Sequence, residues 1–444
     1  MSGFWHKFLK QSISSESAEN NVAISPIRVV VVAFEDDCAE NSGRYLYDLL
    51  SEKQLFDARF YDDETDKSFL NLQGRNFFDF YDAGQKILKQ NKADVLIWGF
   101  RKEDKIRLNF QTPNQYESSD ISLLDALCLP LGFFQDKSLP AQLFDLICAI
   151  VVMAAEFKDK SVKQTILKKA VDKIKQSSPE GISIECMPYI LKMLALIYMQ
   201  AYSDKLALAD VKNISVILEQ ARKYSAGTAD VLLTANICAN FGKLWQMAAE
   251  EFDYHRYAFL KNAIEYNRTA QKYFNRYAYP YDFGLLAYRN SQLYFGYWRQ
   301  ISDVQALRDA VFNLRDAEKI FSFAAFPYFW AMIQDKLGFY LSLLGLFSHS
   351  DEISMLAVEN YKNREKVFTK NNWPLKWAKA QENIGNIFYN TGKWLKDENY
   401  LEESIKYYEE AADVYENYKK ADELRQMQIC IVKADEYIKQ LLCK

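Results

Sequence analysis

The first structured stretch is an apolar run with no helical period. Ile27-Arg28-Val29-Val30-Val31-Val32-Ala33-Phe34 is β-branched and nearly continuous, the pattern of a strand buried on both faces. A polar turn from Asp36 to Ser42 leads into a short helix, Gly43 to Leu50, and Asp57 to Tyr61 alternates as a second strand. Asn76 to Gln90 sets Phe77, Phe80, Ala83 and Ile87 at helical spacing. Asp94 to Gly99 reads as a third buried strand. Lys105 to Phe110 alternates cleanly and should pair with it as a hairpin across Arg101 to Asp104. From about residue 140 onward the chain reads as helix after helix. Residues 1–26 read as a short amphipathic helix and a polar tether, Ser12 to Asn21.

The helical part carries an internal period. Tyr279-Pro280, Phe326-Pro327 and Trp373-Pro374 stand 47 residues apart (326 − 279 and 373 − 326). Trp330 and Trp377 keep that spacing, as do Leu337-Gly338 and Ile384-Gly385, and Tyr294, Leu341 and Phe388. In the following helix Ala263, Ala310, Ala357 and Ser404 repeat through four copies, and so do Phe274, Phe321, Phe368 and Tyr415. Each unit reads as two helices of about fifteen residues, opened by an aromatic-Pro step that suits a helix start. Gly338 and Gly385 let the two helices approach closely. Each unit then leaves an apolar face that its neighbour covers. Cruder pairs lie upstream, Met187 to Ala201 with Ala209 to Tyr224, and Ala229 to Trp245 leading into Leu260 to Phe274. Ala421 to Leu442, polar on one face, suits a terminal cap.

The clearest unit joins Trp377 to Phe388 with Leu401 to Ala411, and it resembles the tetratricopeptide repeat. Ile384, Gly385 and Phe388 fall on the signature positions of the first helix, and Ser404, Tyr408 and Ala411 on the small-aromatic-small positions of the second. The family's own period is about 34 residues, so the extra residues are placed between the helices, Thr391 to Tyr400, and in longer connections. The resemblance implies a peptide-binding groove on the first helices. Its offsets fall on Tyr288, Gln292 and Phe295, then Asp335, Phe339 and Ser342, then Lys379, Glu382, Asn386 and Tyr389. Asn386 matches an asparagine that such domains use on a peptide backbone. The neighbouring clamp position holds Glu382 instead of lysine, which argues against capture of a C-terminal carboxylate. At the other end, Val32-Ala33-Phe34-Glu35-Asp36 and Ala93 to Gly99, followed by Ile106 to Thr112, resemble the small N-terminal α/β domain of TolB-like proteins.

Composition narrows the function classes. Net charge is −4 and the pI about 5.7, without the basic excess of a nucleic-acid binder. The Tyr254, Arg256, Tyr257, Tyr266, Arg268, Arg276, Tyr277 stretch is interleaved with Glu250, Glu251, Asp253 and Glu265, and reads as repeat knobs covered by arginine stems. Seven cysteines without a C-x-x-C pair suit reduced thiols. Three histidines, His6, His255 and His349, lie far apart, so no metal site is expected. The acids Glu35, Asp36 and Asp37 follow the first strand, where ligands of parallel sheets bind, but the turn lacks phosphate-cradling glycines and reads as solvated. No nucleophile motif or phosphate loop occurs, so no catalytic residue and no cofactor is expected. The longest apolar run, Leu143 to Ala155, is shorter than the roughly 20 residues of a membrane-spanning helix and reads as a buried helix.

These observations predict a mainly α protein. A small α/β domain at 27–115 and a helical connector at 116–186 precede an α-solenoid of tetratricopeptide-like helix pairs at 187–444. The expected function is a non-catalytic adaptor or scaffold that binds protein partners on the groove. One alternative is a regulatory sensor with a small molecule or nucleotide in the α/β domain. Another is a peripheral membrane organiser that docks through Phe4, Trp5, Phe8 and Leu9, opposed by Lys7 and Lys10. The expected location is the cytoplasm of a bacterium, with weak membrane contact under the last reading.

Overall fold

Five strands and sixteen helices form among the described residues, which are 25–34, 41–61, 77–113, 126–175, 182–228 and 230–442 of this computed structural model. The N-terminal segment with Phe4, Trp5, Phe8 and Leu9, the tether, and the acids Glu35, Asp36 and Asp37 lie outside them. The chain packs as two compact units, Met1–Tyr279 and Pro280–Lys444. The division falls inside the stretch that the sequence presents as one array.

In the first unit β1 (Ile27–Val32) lies between two parallel neighbours, β2 (Phe56–Tyr61) and β3 (Val95–Lys102). The crossovers are α1 (Ser42–Ser51) and α2 (Phe77–Asn91). Ile27, Val29 and Val31 face one core, while Val30 and Val32 meet Leu96, Trp98 and Ile87 and Leu88 of α2 on the other face. Burial on both sides explains the unbroken apolar run. β4 (Lys105–Gln111) pairs antiparallel with β3 in the expected hairpin, with Lys102 opposite Lys105 and Glu103 in the left-handed region at φ 58°.

The sheet does not stop at residue 115. β5 (Leu127–Pro130) pairs antiparallel with β4, inside the stretch read as a helical connector, and completes the order β2-β1-β3-β4-β5. Four residues are too few to show a strand period, so pairing with β4 decides this element.

Helices α3 (Gly132–Gln135), α4 (Ala141–Ala154), α5 (Lys160–Lys175), α6 (Met187–Ala201), α7 (Leu208–Ser225), α8 (Val231–Glu251) and α9 (Arg256–Gln271) follow. One continuous cluster of buried side chains runs from Val29 and Leu108 in the sheet through Ile147 and Ile150 of α4 to Leu194 of α6, Ile214 of α7 and Leu244 of α8. The sheet and the first helices therefore share a core. The apolar run at Leu143 to Ala155 is buried within it, and no described helix is long and apolar enough to cross a membrane.

The second unit is helical throughout. Helices α10 (Pro280–Ile301), α12 (Pro327–Ser348) and α14 (Pro374–Leu395) are 22 residues long and alternate with α11 (Val304–Ile320), α13 (Asp351–Arg364) and α15 (Glu398–Asn417). The last helix, α16 (Ala421–Leu442), packs on α15 and buries Met427 and Ala434. Consecutive helices pair, as in an α-solenoid.

The helices are longer, and the turns within pairs shorter, than the repeat pattern suggests. Thr391 to Leu395 is helical, and only Lys396 and Asp397 separate α14 from α15. Ser302, His349 and Lys396 end the three long helices in the left-handed conformation, at φ 54°, 46° and 57°. Asp303, Ser350 and Asp397 then cap the next helix, accepting from the backbone N–H of Gln305, Ile353 and Asn399 at 2.9, 3.2 and 2.9 Å. Such caps are each worth about 0.5–2 kcal/mol, so they fix the chain reversal locally.

Within each pair a ring fills the space where a glycine lacks a side chain. A Cβ on Gly284 would come within 2.7 Å of Phe321, on Gly338 within 2.8 Å of Tyr361, and on Gly385 within 2.7 Å of Tyr408. Tyr361 and Tyr408 are each only 1% exposed, so neither ring can swing into solvent. Gly385→Ala should therefore cost about 1–3 kcal/mol by overpacking. Gly132→Ala, where an added Cβ meets nothing within 4 Å, should stay within about 0.5 kcal/mol. Thermal denaturation of the two variants measures the contrast, and equal Tm values would contradict the ring-on-glycine account.

Candidate functional site

The resemblance-derived residues separate into two groups once the second unit is folded. Tyr288 and Phe295 on α10 pack against α12. Tyr288 meets Phe329 at 4.9 Å, and burial pushes its phenol up to about 12, a rise opposed by the Gln292 side chain and reinforced by Asp335. Phe295 stacks on Tyr340 at 4.5 Å and on Trp298 at 5.4 Å. Gln292 is half-buried. Asp335 is held by Arg364 at 2.9 Å, and Arg364 also donates to the Lys376 carbonyl at 2.7 Å. Lys379 pairs with Glu382 at 2.6 Å, and Glu382 accepts from the Tyr415 hydroxyl at 3.0 Å. Tyr389 is half-buried beneath the Lys393 ammonium, 5.3 Å from its ring centroid.

Phe339, Ser342 and Asn386 do come together. They line a cavity of about 150 Å³ between α12, α13 and α14, with Leu343, Leu346, Tyr361, Asn383, Asn390 and Trp394 among the other walls. Phe339 and Leu346 are exposed. Asn383, Asn386 and Asn390 lie on one face of α14, because three- and four-residue steps return to the same side of a helix. Tyrosines orient two of these amides. Asn386 Oδ1 accepts from the Tyr408 hydroxyl at 2.8 Å, and Asn383 bonds the Tyr361 hydroxyl. The Trp394 indole Nε1 is buried with no hydrogen-bond partner.

Asn383 and Asn390 were not foreseen. Their three- and four-residue steps from Asn386 are visible in the chain and mark an amide stripe. What hides it is the second wall, supplied by α12 and Tyr361.

A wider cavity of about 720 Å³ lies in the first unit between the end of α4, the start of α5 and the end of α6. Several of its polar groups are already paired. Lys163 Nζ donates to the Ala155 carbonyl at 2.8 Å, the Gln164 amide accepts from the Ser203 hydroxyl at 3.1 Å, and Lys168 meets Asp204 at 3.6 Å. The smaller groove, with the exposed side chains of Phe339, Leu346 and Asn390, is the better candidate.

Buried glutamines tie α12 and α14 each to the preceding helix or its end. Gln334 Nε2 donates to Glu318 Oε1 at 2.6 Å, and Gln381 Nε2 to Glu365 Oε1 at 2.7 Å. Trp377 Nε1 donates to the other Glu365 oxygen at 3.2 Å. Among the described residues no group of three or more His, Cys, Asp and Glu side chains could hold a metal ion. A scan of protein-family models finds no match to this chain, and a search of curated proteins finds no relative.

Burial pushes the Glu365 carboxyl above its ordinary range, against the lowering effect of its Gln381 and Trp377 donors. It binds its proton more tightly folded than unfolded. Its contribution to stability is fully present below the unfolded-state pKa and is lost as pH rises through the folded-state value. Glu365→Gln removes that pH-dependent part. The natural chain's Tm minus the variant's should therefore be larger near about pH 4.5 than near about pH 7.5. A gap that shrinks toward acid would contradict the raised carboxyl.

Proposed function

We propose that the protein is a non-catalytic adaptor or scaffold whose second unit takes an extended peptide from a partner protein in the groove between α12 and α14. The observation that carries this reading is the pairing of an apolar slot with an amide stripe. A side-chain amide presents a donor and an acceptor, the same two functions as a peptide unit, so Asn386 and Asn390 can exchange hydrogen bonds with a partner backbone. A space of about 150 Å³ accommodates a benzene-sized group, so one aromatic or branched aliphatic side chain fits as the anchor. The exposed side chains of Phe339 and Leu346 line that slot. A buried aromatic anchor with polar groups around it is the usual layout of an interface hot spot.

The helix pairs are read as tetratricopeptide-like units of 47 residues. In support of this, the long helices begin at Pro280, Pro327 and Pro374 and end beside Ser302, His349 and Lys396, at that spacing (327 − 280 and 374 − 327). The sheet of the first unit follows the β-α-β-α-β-β order on which the TolB-like resemblance rests, with β5 added. Under this reading the first unit is a platform, and the groove carries recognition.

The test is selection of a random-peptide library on the full chain, followed by fluorescence-polarisation titration of the selected peptides. Phe339→Glu with Asn390→Ala alters two exposed wall positions and should leave the fold intact, as circular dichroism would verify. Selected peptides should share one aromatic or branched aliphatic position, and should bind the double variant at least about tenfold more weakly, a loss of about 1.4 kcal/mol. Equal affinity for both proteins would overturn the groove assignment.

A further inference from the structure

Two cysteines that are 58 residues apart in sequence (186 − 128) meet in the first unit. Cys128 lies on β5, opposite Arg107 of β4. Cys186 is the N-cap residue of α6, where its backbone N–H donates to the Ser183 carbonyl at 3.1 Å and its own carbonyl accepts from Ile190. α6 packs on β5, and the two thiols hydrogen-bond each other. Both side chains are buried, Cys128 at 7% exposure and Cys186 at 0%.

The surroundings make the two sulfurs unequal. The Cys186 thiol is drawn below its usual range by the Cys128 hydrogen bond, with burial opposing, and further by the Ser183 hydroxyl and the Lys105 ammonium. Cys128 is pushed up, first by the same hydrogen bond and then by burial. Cys186 also stands at a helix N-terminus, which favours an anion. The remaining described cysteines differ. Burial raises Cys148 to about 12 and pushes Cys238 and Cys430 up as well, which keeps all three as thiols. A partially ionised thiol beside a protonated one pairs an attacking sulfur with a resolving one.

We propose that Cys128 and Cys186 form a redox-active dithiol that a small peroxide converts to a disulfide, stapling β5 to the start of α6. In the first step the Cys186 thiolate attacks one peroxide oxygen. The O–O bond breaks, Cys186 becomes a sulfenic acid, and hydroxide leaves. In the second step the Cys128 sulfur attacks the Cys186 sulfur, the S–O bond breaks, and the Cys128 proton leaves with that oxygen as water. Two electrons pass from the two sulfurs to one peroxide, so no further reagent is consumed. Both sulfurs are buried, which keeps a bulky protein thiol from either one, so the exchange is intramolecular.

The experiment treats the full, folded chain with hydrogen peroxide, unfolds it in denaturant with an alkylating agent, and maps the peptides by mass spectrometry. The expected product is a Cys128–Cys186 linked peptide that dithiothreitol abolishes, with Cys148, Cys238 and Cys430 alkylated. In Cys128→Ser, Cys186 should accumulate as a sulfenic acid that dimedone traps. In Cys186→Ser, Cys128 should remain a thiol. Alkylation of both cysteines after peroxide would overturn the proposal, and so would over-oxidation of Cys186 in the natural chain without any link to Cys128.

Discussion

Helix spacing in the second unit rests on a ring laid over a missing side chain. Tyr361 lies against Gly338 and Tyr408 against Gly385, each where a methyl group would collide with the ring. The same two rings carry the hydroxyls that hold Asn383 and Asn386. Packing and amide positioning are thus joined in one residue. The face of the tyrosine sets how closely the helices approach, and its edge sets where the groove amides point. Phenylalanine at either position would keep the first role and lose the second. Phe321, which lies against Gly284, has only the packing role available.

How much of this was legible in the chain follows from where each determinant sits. The strands at Ile27 and Val95, the hairpin at Lys105 and the helix starts at Pro327 and Pro374 are set by local chemistry, so local pattern found them. Helix length was not legible, because His349 and Lys396 take a left-handed conformation in which glycine is the expected residue. β5 is too short to carry a period. For the candidate groove, repeat offsets pointed to α10, α12 and α14. They could not tell that Tyr288 and Phe295 would be covered by α12 while Phe339 and Asn386 stayed reachable. That depends on the neighbouring helix. The meeting of Cys128 with Cys186 is tertiary in the same way, since nothing in the spacing of seven cysteines singles out that pair.

The shared core of the first unit changes how the sheet should be regarded. A free-standing α/β domain ending near residue 115 would leave Ile106, Leu108 and Phe110 facing water, whereas here they join a cluster that includes α4, α6 and α8. At roughly 25 cal/mol per Å² of apolar surface, stripping the helices from that face would remove a large part of what holds the strands. The sheet and the first helices stand or fall together.

That continuity has a consequence for the order in which the chain is made. Leu129 leaves the ribosome long before Leu244 of α8, which belongs to the same cluster. At about 5–20 residues per second, the intervening stretch takes on the order of ten seconds to synthesise. For that interval the nascent sheet carries an uncovered apolar face and an edge strand, the surface that chaperones bind and that misassembly exploits. The time taken to synthesise α4 to α8 therefore sets how long that face waits for its cover, whatever the stability of the finished fold.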